Sequence, residues 1–429
     1  MESVNDASDA ILSPPHQTTC APTDRVAQGQ WMVLLAAFLG WMFDGLEMGI
    51  FPLVARPALR VMLDHNEKSV GAWMGYITAC FLIGAACGGL VFGWLGDKFG
   101  RIKAMTFSVL AYSVFTGLGY FAQTPLHLGV LRFLAALGMG GEWSLGVALV
   151  MECWPEKRRP ILAGLIGAAS NVGFLLVGFI AFEQDVSEES WRWMMLVGIA
   201  PALLTVLIRL FVPESEKWQA SQKSDSKPLR EVFSGKLLKP TLLGIVFASV
   251  ALIGTWAAVQ WIPPWVDKMV GSTMPKAKAV SQMCSAFGAI IGCIIAPLLG
   301  DLVGRRMGYF LLCFASLISC GILFRCFDTY DYSLLFMVVV VGIFSAAFYG
   351  WLPLYLPELF PTRVRATGQG VAFNSGRVIA AAGALLQGQL VGYFGNSYAK
   401  AGQVITLVYL IGMAVIWFAP ETKGKPLPD

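Results

Sequence analysis

Two carboxylates, Asp44 and Glu47, interrupt the apolar run GWMFDGLEMGIFPLV at 40–54, and a guanidinium, Arg377, interrupts a second apolar run far along the chain. An ionised carboxylate in hydrocarbon costs at least a few kcal/mol unless it is paired or wet. Loss of water favours the neutral acid, so a carboxyl so placed can take up and release a proton as its surroundings change. The alternative is a neutral acid hydrogen-bonded within a helix bundle. Residues three apart share one helix face. At 1.5 Å per residue, both acids fall near the middle of a span that starts close to Trp31. Arg377 cannot deprotonate and requires an anion or water. It forms either a structural pair with Asp44, Glu47 or Glu142, or a bidentate site for the carboxylate of a ligand. Asn374 stands one turn earlier on the same face.

The elements that must hold these groups follow from composition. Of 429 residues, 56% are hydrophobic and 14% charged, well below the roughly one quarter charged in a soluble domain. The apolar residues fall in blocks of about 20, the length that crosses a bilayer as helix. Twelve spans are expected, near 31–54, 71–95, 103–122, 126–151, 161–182, 192–212, 241–266, 281–299, 307–327, 333–356, 365–394 and 402–419. Only helix satisfies its own backbone in lipid. The fold class is thus an all-α membrane protein. Residues 1–30 lack the basic start and apolar core of a signal peptide, so the first apolar block is expected to serve as both anchor and first span.

Basic residues set the orientation. Lys and Arg gather after even-numbered spans, at Lys98, Arg101 and Lys103, at Lys157 to Arg159, at Arg305 and Arg306, and at Arg363 and Arg365. The segment FEQDVSEES on the opposite side has none. Both termini are expected in the cytoplasm of a multi-pass cell-membrane protein. The net charge of +4 is too small and dispersed for nucleic-acid binding. Nine cysteines and three histidines make no metal-binding pattern, and no cofactor is expected.

Three landmarks recur in register. GDKFGR at 96–101 returns as GDLVGR at 300–305, ECWPEKRR at 152–159 as ELFPTRVR at 358–365, and PES at 213–215 as PET at 420–422, offset by 204, 206 and 207 residues. The chain therefore divides into a tail 1–30, a six-helix bundle 31–212, a linker 213–240, a second bundle 241–420 and a tail 421–429. The halves share one orientation, related by a pseudo-two-fold axis along the membrane normal, and such bundles can rock about a site between them. The duplicate of Arg377 is Asn171, which should meet it across the axis and, with Asn374, hold hydroxyl or amide groups of a ligand. Gln260 and Tyr349 are further candidates to line that site, with Trp256, Trp261 and Trp351 beside them, although aromatic residues in spans more often pack.

GWLGDKFGRIK at 93–103 resembles the signature loop of the major facilitator superfamily, and PES and PETKGKPLP resemble sugar-porter end motifs. DGLE at 44–47, RFLAALGMGGEW at 132–143 and LPELFPTRVRATGQG at 356–370 resemble the sialate and organic-acid:proton symporter branch. Ala136 stands where that branch usually has glycine, and Leu46 where it has an aromatic. The resemblance covers 31–428. It implies proton-coupled uptake of a small organic anion, such as sialic acid, a monocarboxylate or an aromatic or hydroxy acid, by alternating access. It places an acid most regularly at Asp44 and ties Arg132 to proton coupling, with Glu142 ten residues deeper. A structural salt bridge or a snorkelling side chain is the other reading of Arg132. The cytoplasmic charges Asp97, Arg101, Glu152, Arg159, Asp301, Arg305, Glu358 and Arg363 are either topogenic or a latch between the halves, each pair contributing about 1–3 kcal/mol.

Other classes fit less well. A sugar or polyol carrier is permitted by the end motifs. A drug antiporter suits cations better than two acids balanced by an arginine. A non-transporting sensor would want longer tails, and an intramembrane enzyme a buried histidine. The protein is expected to act as a monomer in the lipid bilayer, with protons and an organic anion as its partners.

Overall fold

Apolar runs that have no water to bond can satisfy their backbone only by coiling, and among the described residues every such run is helical and no strand occurs. The computed structural model describes residues 28–99, 101–140, 158–202, 228–425 and 427–428. In order come α1 (Gln28–Met62), α2 (Glu67–Phe99), α3 (Arg101–Leu118), α4 (Pro125–Met139) and α5 (Arg159–Glu183), with α6 starting at Trp191–Val197. The second half holds α7 (Leu238–Trp256, continued by Ile262–Val270), α8 (Ala277–Val303) and α9 (Arg305–Cys326). It ends with α10 (Tyr332–Ala346, continued by Phe348–Tyr355), α11 (Arg365–Tyr393) and α12 (Tyr398–Ile405, continued by Val408–Val415).

Eight segments are long and apolar enough to cross a membrane, and α3 and α4 supply shorter apolar stretches. The 29 residues of α11 are long enough, but Arg377, Asn374, Gln369, Gln387 and many glycines dilute its apolarity. Helices overrun the expected spans. Residues 28–62 are helical in α1 where 31–54 was expected, because a helix continues past the hydrocarbon for as long as its backbone is satisfied.

Local signals explain the ends. Thr124 caps α4 by accepting from the His127 N–H, with Pro125 in the first turn, and Asp331 caps α10 by accepting from Leu334. Gly304 breaks α8 from α9 with φ of 98°, a conformation open to glycine and strained for other residues.

Within the first half α1 packs on α5 and α2 on α4; within the second, α7 packs on α11 and α8 on α10. The halves meet along two seams, α2 with α11 and α5 with α8, which a two-fold axis would exchange. The duplication is visible in atomic register. A Cβ at Gly84 or Gly88 would lie 2.4 and 2.1 Å from the carbonyl oxygens of Phe133 and Leu137. Offset by 204 and 206 residues, a Cβ at Gly288 or Gly292 would lie 2.1 and 1.8 Å from those of Val339 and Ile343. Glycine at these four positions lets α2 press on α4, and α8 on α10, backbone to backbone.

Candidate functional site: a charged cavity between the halves

A cavity lies between the halves, with room for water-molecule centres over about 90 Å³, enough for roughly six to nine waters or a small metabolite. Trp41, Phe81, Phe174, Trp256 and Phe373 give it aromatic walls, and Asn171, Thr255, Gln260, Gln282 and Tyr349 add polar groups. Asp44 and Arg377 are the only formally charged side chains among the described residues that line it.

Arg377 is held by a single arm. Its Nη1 donates to Asn374 Oδ1 at 3.0 Å, to Gly140 O at 3.3 Å and to Ala85 O at 3.4 Å. The two carbonyls belong to the opposite half, so this arginine ties the halves together. Its guanidinium also lies 5.0 Å from the Phe373 ring. No described residue accepts from Nε or Nη2, which leaves donors for a ligand. Asn374 does not line the cavity; it steadies Arg377 instead. Asn171 lines the cavity as its duplicate position requires, and donates to Gly167 O. Gln260, Tyr349 and Trp256 also line it, whereas Trp261 and Trp351 are core residues. The Trp261 indole N–H is spent on the Trp256 carbonyl.

The two acids of α1 part company. Asp44 faces the cavity, but Glu47, fully buried, turns into the first half, where it pairs with Arg132 and accepts from Thr116 Oγ1 at 2.8 Å. Three residues advance a helix by 300°, which leaves 60° between the two side chains, enough for one to meet the cavity and the other to meet α3 and α4. The expected common face is thus divided. Arg132 lies beneath two rings, its guanidinium carbon 4.5 Å from Phe81 and 5.3 Å from Phe51. Glu142 lies outside the described residues.

A second charged cluster closes the cavity at the end away from the 300–305 loop. Arg56 Nη1 donates to Asp267 Oδ2 at 2.9 Å across the halves, and its Nη2 to Glu67 at 2.7 Å. Lys278 Nζ donates to Asp267 Oδ1 at 2.9 Å. Arg56, Asp267 and Lys278 are all buried. Nearer the cavity, Gln282 Nε2 on α8 donates to Gly49 O at 3.1 Å, a second bond between the halves.

The charges near the 300–305 loop behave differently from the latch expected of them. Arg305 forks onto Glu358 at 2.8 and 3.0 Å and reaches Asp301 at 3.3 Å. Glu421 accepts from the Arg305 and Arg306 backbone N–H groups at 2.9 and 3.1 Å, and Thr422 donates to Glu358 at 2.6 Å. Arg363 pairs with Glu231 of the linker. The partners of Asp301, Arg305, Glu358 and Arg363 all belong to the second half or the segment leading into it, because the end motif folds back to cap α9. Burial would raise the Glu421 carboxyl, but N–H donors from Arg305, Arg306, Lys423 and Thr422 outweigh it and hold this acid below its ordinary value. Asp97, Arg101 and Arg159 lie at helix ends, and no contact of their side chains is described. Glu152 lies outside the described residues.

Comparison with known proteins identifies the class. The family model described as Major Facilitator Superfamily matches residues 31–384. This chain belongs to that superfamily, whose members are transporters, not enzymes. It is 29% identical over 417 residues to the cis,cis-muconate transport protein of Acinetobacter baylyi, covering 94% of this chain and 97% of that protein. It is 26% identical over 373 residues to the sialic acid transporter NanX of Escherichia coli, covering 85% and 88%. Its fold matches the crystal structure of a D-xylose-proton symporter with a TM-score of 0.75 at 19% identity, covering 93% of this chain and all of the other. The architecture is the superfamily's twelve membrane helices in two halves.

Proposed function

We propose that the protein is a secondary active transporter that takes up a small organic anion together with protons, by alternating access. The observation that carries this reading is the pairing of one arginine and one acid, Arg377 and Asp44, in an otherwise uncharged, aromatic-walled cavity between the halves. Arg377 offers free N–H donors to a carboxylate, and Asn171, Gln260 and Tyr349 surround it with polar groups. Relatives named for cis,cis-muconate and sialic acid support a carboxylate as cargo. The cavity volume favours a compact monocarboxylate or an aromatic or hydroxy acid over a bulky sugar acid.

Protonation of Asp44 offsets the charge that opposes anion entry, about 2.3 kcal/mol per charge per 100 mV of membrane potential. The Glu47–Arg132 pair is assigned a supporting part in coupling. Both termini are assigned to the cytoplasm of a cell-membrane protein, which makes the Arg56–Asp267–Lys278 cluster an outer closure. No cofactor is required, and a monomer suffices because the cavity is built from one chain.

Uptake into liposomes tests the reading. With an acid interior-to-exterior proton gradient directed inward, small aromatic and hydroxylated acids should accumulate and neutral hexoses should neither accumulate nor compete. Accumulation of hexoses with no response to acids would assign the protein to sugar transport instead.

A further inference from the structure

Phe81 sits where three features meet. On α2, only 2% exposed, it lines the cavity with one part of its ring. Its face carries the Arg132 guanidinium at 4.5 Å. Its ring also packs on Trp256 of the other half, with centroids 5.1 Å apart and planes at 35°.

Behind that ring the Glu47–Arg132 pair is dry but not saturated. Neither residue lines the cavity, and they are 0% and 2% exposed. Glu47 Oε2 and Arg132 Nε have no partner among the described residues. The groups that face Glu47 are Arg132 from α4 and Thr116 from α3, with Asp44 one turn earlier on α1. A carboxylate oxygen with vacant lone pairs is a ready proton acceptor once water reaches it, and burial makes leaving it unbonded costly. The only ring that both borders the cavity and touches the pair is Phe81.

We infer that Phe81 is a positioning residue that seals the Glu47–Arg132 pair from the cavity, and that its contact with Trp256 makes the seal depend on how the halves are set. With α2 against α7, the ring is pinned and protons exchange with Asp44 alone. When the halves part there, Trp256 leaves, the ring is released, and cavity water can deliver a proton to Glu47 Oε2. Arg132 keeps its charge through that step, with the faces of Phe81 and Phe51 still beside it. Return of the proton to water as the halves close restores the pair. This inference rests on the reading of the protein as proton-coupled.

The test is proton flux into liposomes loaded with a pH dye, without substrate, alongside substrate uptake. Phe81→Ala should raise substrate-independent proton entry several-fold over the wild type and lower the substrate carried per proton. Adding Glu47→Gln to Phe81→Ala should abolish the extra flux. Trp256→Leu, which spares every contact to Arg132, should also leak, and it serves if Phe81→Ala does not fold. A tight Phe81→Ala or Trp256→Leu protein, or a leak indifferent to Glu47→Gln, overturns the seal while leaving proton coupling intact. A wild type whose acid uptake ignores the pH gradient removes the coupled reading itself, and the seal with it.

Discussion

Glu47 and Arg132 form a fully buried ion pair between α1 and α4, one helical turn from an acid that faces the cavity. Removing one partner strands a charge, at a cost of about 3–5 kcal/mol. Arg132→Met alone should therefore unfold in detergent well below the wild type. Arg132→Met with Glu47→Leu should recover most of that stability without regaining full coupled uptake. Equal stability of the single variant and the wild type, by thermal unfolding, would show that the pair holds nothing together.

Asp44 is the acid within reach of cavity water. Asp44→Asn should lose accumulation driven by a pH gradient while keeping exchange of labelled for unlabelled acid across the liposome membrane. Gradient-driven accumulation at the wild-type level in this variant would remove Asp44 as carrier.

Arg377 holds two carbonyls of the opposite half through Nη1 alone. Arg377→Lys keeps the charge but loses the fork, so acid uptake should fall by about tenfold or more. Asn374→Ala should cost less, because Asn374 only steadies the arginine. If Lys transports as well as Arg, bidentate capture of a carboxylate is wrong.

Asp267 joins Arg56 of one half to Lys278 of its own. Asp267→Asn should weaken the closed outer face and favour the opposite opening. In a background with the native cysteines replaced, Ser285→Cys should then react faster with a membrane-impermeant thiol reagent added outside. An unchanged labelling rate would mean that the cluster does not limit opening.

Glu421 is held below its ordinary acidity range by backbone N–H groups at the start of α9. A depressed folded-state value stabilises above the unfolded carboxyl value of about 4.3, and that contribution fades as pH falls through the folded value. Glu421→Gln should thus lower stability by about 1–2 kcal/mol at neutral pH, with the gap from wild type closing below about pH 4. A gap constant from pH 7 to 3 would contradict the assignment.

The charged core of the site was legible in sequence because ionisable groups inside apolar runs stand out. Asp44, Glu47, Arg132 and Arg377 needed only their positions, and Asn171 only the offset of the duplication. Phe81, Gln282 and the Arg56–Asp267–Lys278 cluster were missed for two reasons. An aromatic in a span looks like packing, and charges at span ends look like ordinary interfacial residues. Arg56 and Asp267 lie 211 residues apart, and nothing in either neighbourhood announces the other. The latch expected of Arg305 and Glu358 failed because spacing places residues at one face without saying whether they bond within a half or across it.

The repeated glycines of α2 and α8 leave no backbone slack against α4 and α10, so those helix pairs can bend only as stiff units. Compliance must then come from the seams. There Gly71 and Gly75 of α2 meet Gly388 of α11, and a Cβ at Gly75 would lie 2.8 Å from the Ala384 carbonyl oxygen. Surfaces this smooth lack the interlocking knobs that resist sliding. One helix can therefore roll over the other with few rotamer changes, and strain generated at one mouth of the molecule is carried to the other rather than absorbed along the way.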